Sequence, residues 1–276
     1  MKSNLSSLKN QGFVNLPYPN DLRNAVNSTV TSWKNFCSLP IKAKTDLPYS
    51  NNTAGVGYEL KEGKGPKGDR KENFDITTAG TEWLTKHAKQ IGNGPALEFI
   101  TQATELIETM KPYIFEFAEK VEKNFALKGF ADEVRKSENA FFVRFIHYFG
   151  DRKLEDETAS AHTDQSGFTL HLFESDPGLQ CLSYDKKWID MPVSEGETVI
   201  IPAMQLQYRS NGELKALCHR VIANTKTAEN GRYSAVCFIQ LSDTPKYDKE
   251  KHGRLQEKVA GFNYDMPFTE FSKLFK

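Results

Sequence analysis

Three side chains in the second half of the chain have the types and spacing of metal ligands. His162 and Asp164 form a His-Thr-Asp triplet, and His219 follows within the apolar segment 216–222. Residues two apart on a strand project to the same face, so His162 and Asp164 can reach one ion from a strand end. Two imidazoles and one carboxylate are the ligand set that holds a mononuclear Fe(II) on one face and leaves other positions open.

A second pair of residues has the chemistry to bind the carboxylate of an organic co-substrate. Arg232 and Ser234 stand two apart in Arg-Tyr-Ser, at the start of the strand predicted after His219, so they face one way. A guanidinium is a planar fork that matches a carboxylate. Each motif alone is weak, because such triplets occur by chance. Their order, spacing and strand context together predict an iron oxygenase.

The elements that must position these residues are predicted to be short strands. After residue 138 the apolar residues alternate with a period of two, and turn signals separate the segments. Several short strands separated by turns are typical of a sandwich or barrel. The predicted strands cover residues 141–149, 169–173, 179–184, 198–201, 217–223 and 233–241.

The first half of the chain is predicted to combine helices with irregular structure. Apolar positions recur at helical spacing over 21–36 and over 95–125, where Pro112 is expected to kink or split the helix. The apolar stripe of the longer helix predicts that it packs against a sheet. Segment 48–80 is interrupted by glycines and has no sustained period, so it is predicted to be either a solvated flexible loop or an anion-attracting lid.

Composition narrows the classes of partner. Thirty-six basic residues balance thirty-six acidic ones, so no net charge draws the protein toward nucleic acid or an anionic membrane. No apolar run has the length of a signal peptide or a membrane span. The four cysteines lack C-x-x-C spacing, which is typical of free thiols in a reducing compartment. We expect a cytoplasmic protein with a small-molecule partner; composition does not indicate its oligomeric state.

Further motifs follow in a fixed order between residues 141 and 241. They are Ala161-His162-Thr163-Asp164, Gly167-Phe168-Thr169-Leu170, Gly178-Leu179-Gln180, Lys187-Trp188-Ile189-Asp190-Met191-Pro192, Gln205-Leu206-Gln207, Ser210-Asn211-Gly212, His219-Arg220-Val221 and Arg232-Tyr233-Ser234. With these motifs the sequence resembles the Fe(II)/2-oxoglutarate-dependent oxygenases, and within them the isopenicillin N synthase-like group. The likeness is weaker upstream of residue 141.

The resemblance implies a fold that is mainly β with flanking helices. Residues 138–241 would form a double-stranded β-helix (jelly roll) core, backed by the long helix. Residues 1–137 would form a mixed helical and irregular region that packs on the core. Residues 242–276 would form a carboxyl-terminal extension with a short helix at 267–275.

The resemblance also assigns roles to individual residues. The implied iron ligands are His162, Asp164 and His219. Arg232 and Ser234 would bind the distal carboxylate of 2-oxoglutarate. Tyr148 matches a family tyrosine that contacts the same carboxylate, although Ile146 replaces the asparagine that many relatives have two residues earlier. The implied reaction uses Fe(II), 2-oxoglutarate and O2, with ascorbate as a candidate reductant. It hydroxylates or desaturates a small organic molecule and releases succinate and CO2.

Several alternatives stay open at this point. An iron-dependent oxidase that does not use 2-oxoglutarate, of the isopenicillin N synthase or aminocyclopropanecarboxylate oxidase type, would carry the same ligands. A non-catalytic jelly-roll binding protein is a second alternative. A zinc hydrolase is a third, but no evident general base accompanies the ligands. The predicted substrate contacts are Tyr58, Arg144, His171 and Gln240, although His171 is more consistent with a packed or hydrogen-bonded residue of the sheet.

Overall fold

Two antiparallel β-sheets packed face to face form the centre of the computed structural model. The structure describes residues 5–50, 55–63, 69–191, 193–210 and 212–241. The predicted helix at 267–275, with the rest of the extension 242–276, lies outside these residues. Buried apolar side chains from both sheets fill the space between them, among them Ile146 and Val199 of one sheet and Leu179 and Val221 of the other.

Among the described residues, the larger sheet contains seven strands. They are β1 (Val14–Pro17), β2 (Gly57–Glu62), β3 (Arg70–Thr77), β4 (Phe142–Tyr148), β6 (Phe168–Glu174), β9 (Glu197–Pro202) and β11 (Arg232–Ile239). Their spatial order is β1-β9-β6-β11-β4-β3-β2, and neighbouring strands are antiparallel. The sequence segments that pair are far apart along the chain, as expected of a jelly roll.

The part of the smaller sheet that the structure describes contains four strands. They are β5 (Glu157–His162), β7 (Leu179–Leu182), β8 (Trp188–Asp190) and β10 (His219–Ile222). Their spatial order is β5-β10-β7-β8. The predicted mainly β class with a double-stranded β-helix core is therefore confirmed. All six strands predicted after residue 138 are present with small shifts of their ends, whereas β5 and β8 were not predicted.

Helices flank the larger sheet and connect the strands. They are α1 (Ser6–Asn10), α2 (Asn20–Cys37), α3 (Ile41–Thr45), α4 (Thr81–Gln90), α5 (Gly94–Phe125), α6 (Phe130–Lys136), α7 (Met204–Arg209) and α8 (Thr225–Asn230). Within the described residues, none of these helices combines the length and apolar character that crossing a membrane requires.

An aromatic cluster joins α2 and α5 to the outer face of the larger sheet. The ring of Phe99 on α5 lies 5.2 Å from Trp33 on α2, 5.2 Å from Phe74 on β3 and 4.9 Å from Phe145 on β4, measured between ring centroids. Such pairs contribute about 0.5–1.5 kcal/mol each beyond the burial of their area. The prediction that the long apolar stripe packs against a sheet is confirmed.

Helix α5 runs without a break through Pro112, so of the two predicted effects of this proline, a kink or a split, the split is wrong. Proline removes one backbone hydrogen bond from a helix interior, at a cost of about 3 kcal/mol. Buried side chains of α5 on both sides of the proline, including Met110 and Ile114, hold the helix against the rest of the core. Tertiary packing therefore outweighs the local cost.

The prediction of a loop over 48–80 is wrong for residues 57–62 and 70–77, which form β2 and β3. These two strands extend the larger sheet, because β3 pairs with β4 along its whole length. Seven of the eight residues of β3 are buried, including Lys71, Asn73 and Asp75. The alternation of a strand was not evident in the sequence because polar side chains occupy the face that points into the jelly roll.

Candidate metal centre

The three predicted metal ligands converge at one end of the smaller sheet. His162 ends β5, His219 begins β10, and the antiparallel pairing of these strands sets the two residues opposite each other. Asp164 follows two residues after His162. Its carboxylate oxygens lie 3.6 Å from His162 Nε2 and 3.9 Å from His219 Nε2. One donor atom from each side chain lies within 4.8 Å of the other two. Ligand atoms that each lie about 2.0–2.2 Å from one metal ion are separated from one another by distances comparable to these.

Both imidazoles are oriented by hydrogen bonds at Nδ1, the ring nitrogen that does not face Asp164. His162 Nδ1 donates to the backbone carbonyl of Ser160 at 2.7 Å, and His219 Nδ1 donates to that of Leu217 at 3.1 Å. Because a carbonyl only accepts, each ring carries its proton on Nδ1 and directs the lone pair of Nε2 toward Asp164. This arrangement fixes the tautomer that a metal ligand needs.

The carboxylate of Asp164 is held by a residue that the sequence reasoning missed. Thr169 Oγ1 donates to Asp164 Oδ2 at 2.6 Å, and both residues are buried. Thr169 belongs to the Gly-Phe-Thr-Leu motif, so its place in the pattern was visible but its contact was not. The hydrogen bond restricts the rotation of the carboxylate and so prepares it as a ligand.

The protonation states of the cluster suit a divalent cation. Burial lowers the pKa of His219 to about 4, although the neighbouring Asp164 carboxylate opposes this shift. Burial by itself would raise the pKa of Asp164, but the imidazoles of His219 and His162 outweigh it and lower the pKa. At neutral pH the cluster therefore presents a neutral imidazole and a carboxylate, the forms that bind metal ions.

An internal cavity of about 70 Å³ lies between the sheets beside the three ligands. Its polar lining, apart from the metal ligands and Thr169, consists of Lys71, Arg144, Tyr148, His171, Glu174 and Ser234. Ligand pockets usually have a volume of about 300–1,000 Å³. The cavity is therefore too small for an organic substrate until some of its side chains move.

Four residues predicted from the sequence line this cavity. They are Tyr148, Ser234, Arg144 and His171. Arg144 makes a two-point ion pair with the buried Asp75, with both nitrogen–oxygen distances at 2.7 Å. His171 Nδ1 lies 3.1 Å from Glu174 Oε1, while its buried Nε2 has no hydrogen-bond partner in the described structure. His171 is thus a hydrogen-bonded residue of the sheet that also faces the cavity.

Arg232 is buried but does not line this cavity. Its Nε donates to the backbone carbonyl of Asp176 at 2.9 Å. Its Nη2 lies 2.5 Å from Glu174 Oε2, a contact between charges whose angles do not make a hydrogen bond. Its Nη1 has no hydrogen-bond partner among the described residues. An unsatisfied buried guanidinium is costly, which fits a site where an additional carboxylate binds.

Tyr58 lies on the face of the larger sheet that points away from the cavity and toward α2. The structure therefore does not support it as a substrate contact. Its hydroxyl donates to Glu72 Oε2 at 2.7 Å. Lys44 Nζ lies 2.5 Å from the same oxygen, and His147 Nδ1 lies 2.9 Å from Glu72 Oε1. Burial alone would raise the pKa of Glu72, but hydrogen bonds from His147, Lys44 and Tyr58 lower it to about 2.

Donor atoms of Cys37, Glu72 and His147 also lie within 4.8 Å of one another. This second cluster is poorly suited to a cation, because the Lys44 ammonium already binds Glu72. Burial raises the pKa of the Cys37 thiol, which disfavours the thiolate that binds metals. The cluster is therefore a buried polar network beneath α2.

Gln240 is the remaining predicted substrate contact. It follows the last residue of β11 and is not among the described residues that line the cavity. Its backbone carbonyl accepts a hydrogen bond from the Ser137 hydroxyl. The structure places this residue just after the end of the central strand β11 and does not support a substrate role.

Comparison with known proteins connects this geometry to a family. Residues 138–241 match the sequence profile of the 2OG-Fe(II) oxygenase superfamily. A 2-oxoglutarate-dependent dioxygenase of Didymella fabae is 34% identical over 114 residues, which are 39% of this chain and 34% of that protein. The 1-aminocyclopropane-1-carboxylate oxidase 1 of Oryza sativa subsp. japonica is 41% identical over 127 residues, which are 43% of this chain and 36% of that protein. The matched segment spans about a third of these curated relatives.

Solved structures extend the likeness of fold to almost the whole chain. A 2OG-Fe(II) oxygenase family protein from Caulobacter crescentus aligns with a TM-score of 0.73 at 22% identity. The alignment covers 97% of this chain and 90% of that chain. At this identity the likeness supports a shared fold, including the helices that flank the jelly roll.

Proposed function

We propose that this protein, whose residues 138–241 belong to the 2OG-Fe(II) oxygenase superfamily, is an Fe(II)- and 2-oxoglutarate-dependent dioxygenase that oxidises a small organic molecule. The observation that carries this proposal is the convergence of donor atoms from His162, Asp164 and His219 beside a polar cavity. When bound, Fe(II) supplies the activation of dioxygen, with 2-oxoglutarate as the reductant that is converted to succinate and CO2.

The protein's own residues hold and orient the reactants. His162, Asp164 and His219 would hold the metal, because they lie at the end of β5, just after it and at the start of β10. All three side chains line the cavity between the sheets. Thr169 and the two backbone carbonyls hold the ligands in the geometry of the bound state before an ion arrives, which reduces the cost of ordering them.

The side of the cavity that Ser234 and Tyr148 line is suited to the distal carboxylate of the co-substrate. Ser234 lines the cavity, and Arg232 stands two residues earlier on the same face of β11. Burial raises the pKa of Tyr148, so its phenol stays protonated and can donate a hydrogen bond to a carboxylate. The guanidinium of Arg232 lies 5.9 Å from the centre of the Tyr148 ring, which places the three residues together.

The substrate is proposed to carry an anionic or strongly polar group. Lys71 and Arg144 line the same cavity from β3 and β4. Each is paired with one carboxylate, because Lys71 Nζ lies 2.9 Å from Asp69 and Arg144 binds Asp75. Both cations keep further N–H groups available for a ligand, since an ammonium has three and a guanidinium five.

One observation favours a second candidate, an iron oxidase of the same fold that does not use 2-oxoglutarate. Glu174 already contacts Arg232, the residue that the co-substrate would need. The two candidates differ in their products, because only the dioxygenase releases succinate in proportion to the O2 consumed. The cytoplasmic location and the absence of nucleic-acid partners stay predictions from composition.

The experiment that tests the proposed function has two stages. An anaerobic titration with Fe(II) and 2-oxoglutarate is expected to produce a visible charge-transfer absorption, which Asp164→Ala abolishes. Asp190→Ala, which removes an exposed carboxylate of β8, is the matched control and is expected to behave as the unmodified protein. A screen of small metabolites is then expected to reveal substrate-stimulated succinate release. Iron binding without absorption or succinate release would contradict the use of 2-oxoglutarate.

A further inference from the structure

We propose that Glu174 is an internal competitor of the co-substrate, whose side chain must leave Arg232 before the distal carboxylate of 2-oxoglutarate binds there. Glu174 is then the residue that sets the affinity of this protein for dicarboxylic oxo-acids. The inference rests on the proposed function, because it concerns the binding of the same co-substrate.

A β-bulge brings Glu174 into the interior. Along the pairing of β6 with β11, Ser234 lies opposite Glu174 and Ala235 opposite Phe173, but Val236 lies opposite His171. One extra residue, Leu172, is therefore inserted into β6. Because of this insertion, His171 and Glu174 both face the cavity although they are three residues apart. In a regular strand, one of these two side chains would point to the outer face of the sheet, which packs against the helices.

Glu174 occupies the side of the guanidinium that an incoming carboxylate needs. Its Oε2 lies 2.5 Å from Arg232 Nη2, and its Oε1 lies 3.1 Å from His171 Nδ1. Arg232 Nε is already bound to the carbonyl of Asp176. Among the described residues Nη1 is left without a partner, so a two-point contact with a second carboxylate requires Nη2 as well. That contact is available once Glu174 withdraws.

Glu174, like Leu179, lines both the metal cavity and a second pocket that Arg232 also lines. The inner cavity of about 70 Å³ is lined by Glu174 and Ser234. An outer pocket of about 510 Å³ is lined by Glu174, Arg232 and Asp176. Glu174 is thus shared by both spaces, whereas Arg232 borders the outer one. Rotation of Glu174 into the outer pocket would enlarge the inner cavity and expose the guanidinium to it.

Electrostatic repulsion prevents Glu174 and the distal carboxylate of 2-oxoglutarate from binding Arg232 at the same time. The side chains of Glu174 and Arg232 are only 5% and 2% exposed, so little water screens them. Two carboxylates that share one buried guanidinium repel each other strongly. The distal carboxylate of 2-oxoglutarate and that of Glu174 therefore compete for Arg232. An oxo-acid without a distal carboxylate meets no such competition.

The test compares two oxo-acids in matched variants. Dissociation constants of 2-oxoglutarate and of pyruvate are measured anaerobically with the Fe(II)-loaded protein, by calorimetry and by charge-transfer absorption. Pyruvate keeps the metal-binding keto acid but has no distal carboxylate. Glu174→Gln keeps the shape of the side chain and removes its charge. Glu133→Gln is the matched control, because Glu133 pairs with Arg209 at 2.8 Å, outside both sheets.

We expect Glu174→Gln to tighten the binding of 2-oxoglutarate about tenfold or more, the effect of about 1.4 kcal/mol. The dissociation constant of pyruvate is expected to change less than about twofold. Glu133→Gln should leave both constants unchanged. Should Glu174→Gln fold poorly, Glu174→Asp provides the same test, because its shorter side chain withdraws from Arg232; it is expected to tighten 2-oxoglutarate binding to a smaller extent.

Three results would overturn the proposal. Unchanged or weaker 2-oxoglutarate binding in folded Glu174→Gln would mean that Glu174 only positions Arg232. Equal tightening of pyruvate would place the effect at the metal. If neither the unmodified protein nor Glu174→Gln binds 2-oxoglutarate while both bind Fe(II), the proposed co-substrate fails together with the role of Glu174. Measurable and equal binding of 2-oxoglutarate by the unmodified protein and by Glu174→Gln would contradict only the role of Glu174.

Discussion

His162 and His219 stand opposite each other on neighbouring antiparallel strands, and their ring centroids are 4.4 Å apart. Two of the three ligands of the candidate metal centre are therefore positioned by the register of one strand pair. A slip of one residue in this register would turn one imidazole to the other face of the sheet. The metal centre and the pairing of the smaller sheet are accordingly parts of one structural unit.

Thr169→Val is expected to weaken Fe(II) binding about tenfold to a hundredfold, because valine keeps the shape but loses the hydrogen bond to Asp164. Anaerobic calorimetric titration with Fe(II) measures the effect. Thr198→Val is the matched control, because Thr198 is equally buried on β9 and its hydroxyl bonds a neighbouring backbone carbonyl. Equal Fe(II) affinity in the two variants would show that Thr169 does not orient the ligand.

Arg232→Gln is expected to weaken the binding of 2-oxoglutarate about a hundredfold, because a charge-assisted pair is lost in a buried site. The dissociation constant of pyruvate should stay within about twofold of the unmodified protein, since pyruvate lacks the distal carboxylate. Titrations of the Fe(II)-loaded protein give both constants. Arg209→Gln, outside the cavity, serves as the control. A parallel loss of pyruvate binding would assign the effect to general disruption of the cavity.

Glu72→Gln is expected to destabilise the protein by about 3 kcal/mol at pH 7, because it breaks a buried ion pair with Lys44. The pKa of Glu72 is lowered to about 2 in the folded state, from an ordinary value of 4.5. Its ionised form therefore contributes stability above about pH 4.5, and this contribution is lost as the pH falls through 2. Urea unfolding at pH 7 and pH 3 measures the free energies. A difference between the two proteins that grows toward acid would contradict the assignment.

Phe99→Ala is expected to lower the free energy of unfolding by about 3–5 kcal/mol, because Phe99 is fully buried between α2 and the larger sheet. Leu154→Ala removes a side chain that is 61% exposed and should change stability by less than about 0.5 kcal/mol. Denaturant unfolding compares the two. Similar losses in both variants would mean that the aromatic cluster is not the centre of the core.

The metal ligands could be predicted from the sequence because their chemistry depends on residue types in a fixed order. The long helix α5 was predictable because its apolar residues recur at helical spacing. Strands β2 and β3 were not, since polar side chains occupy the inner face of β3 and the chain shows no apolar alternation there. Patterns of hydrophobicity fail where a sheet encloses a polar cavity.

The role of Glu174 depends on a bulge, which no pattern in this sequence indicated. Whether residue 174 faces inward is set by one inserted residue at Leu172. The face that Tyr58 occupies was not evident for a related reason, because the register of β2 against β3 decides which side chains meet Glu72. Register is a property of the assembled sheet, so side-chain direction could not be read from sequence alone.

The most direct test of the central claim is anomalous diffraction at the iron absorption edge from crystals grown anaerobically with Fe(II). We predict one strong peak about 2.0–2.2 Å from His162 Nε2, His219 Nε2 and an oxygen of Asp164. No peak at this position in crystals of Fe(II)-loaded protein, or a peak only at the Cys37, Glu72 and His147 cluster, would contradict it.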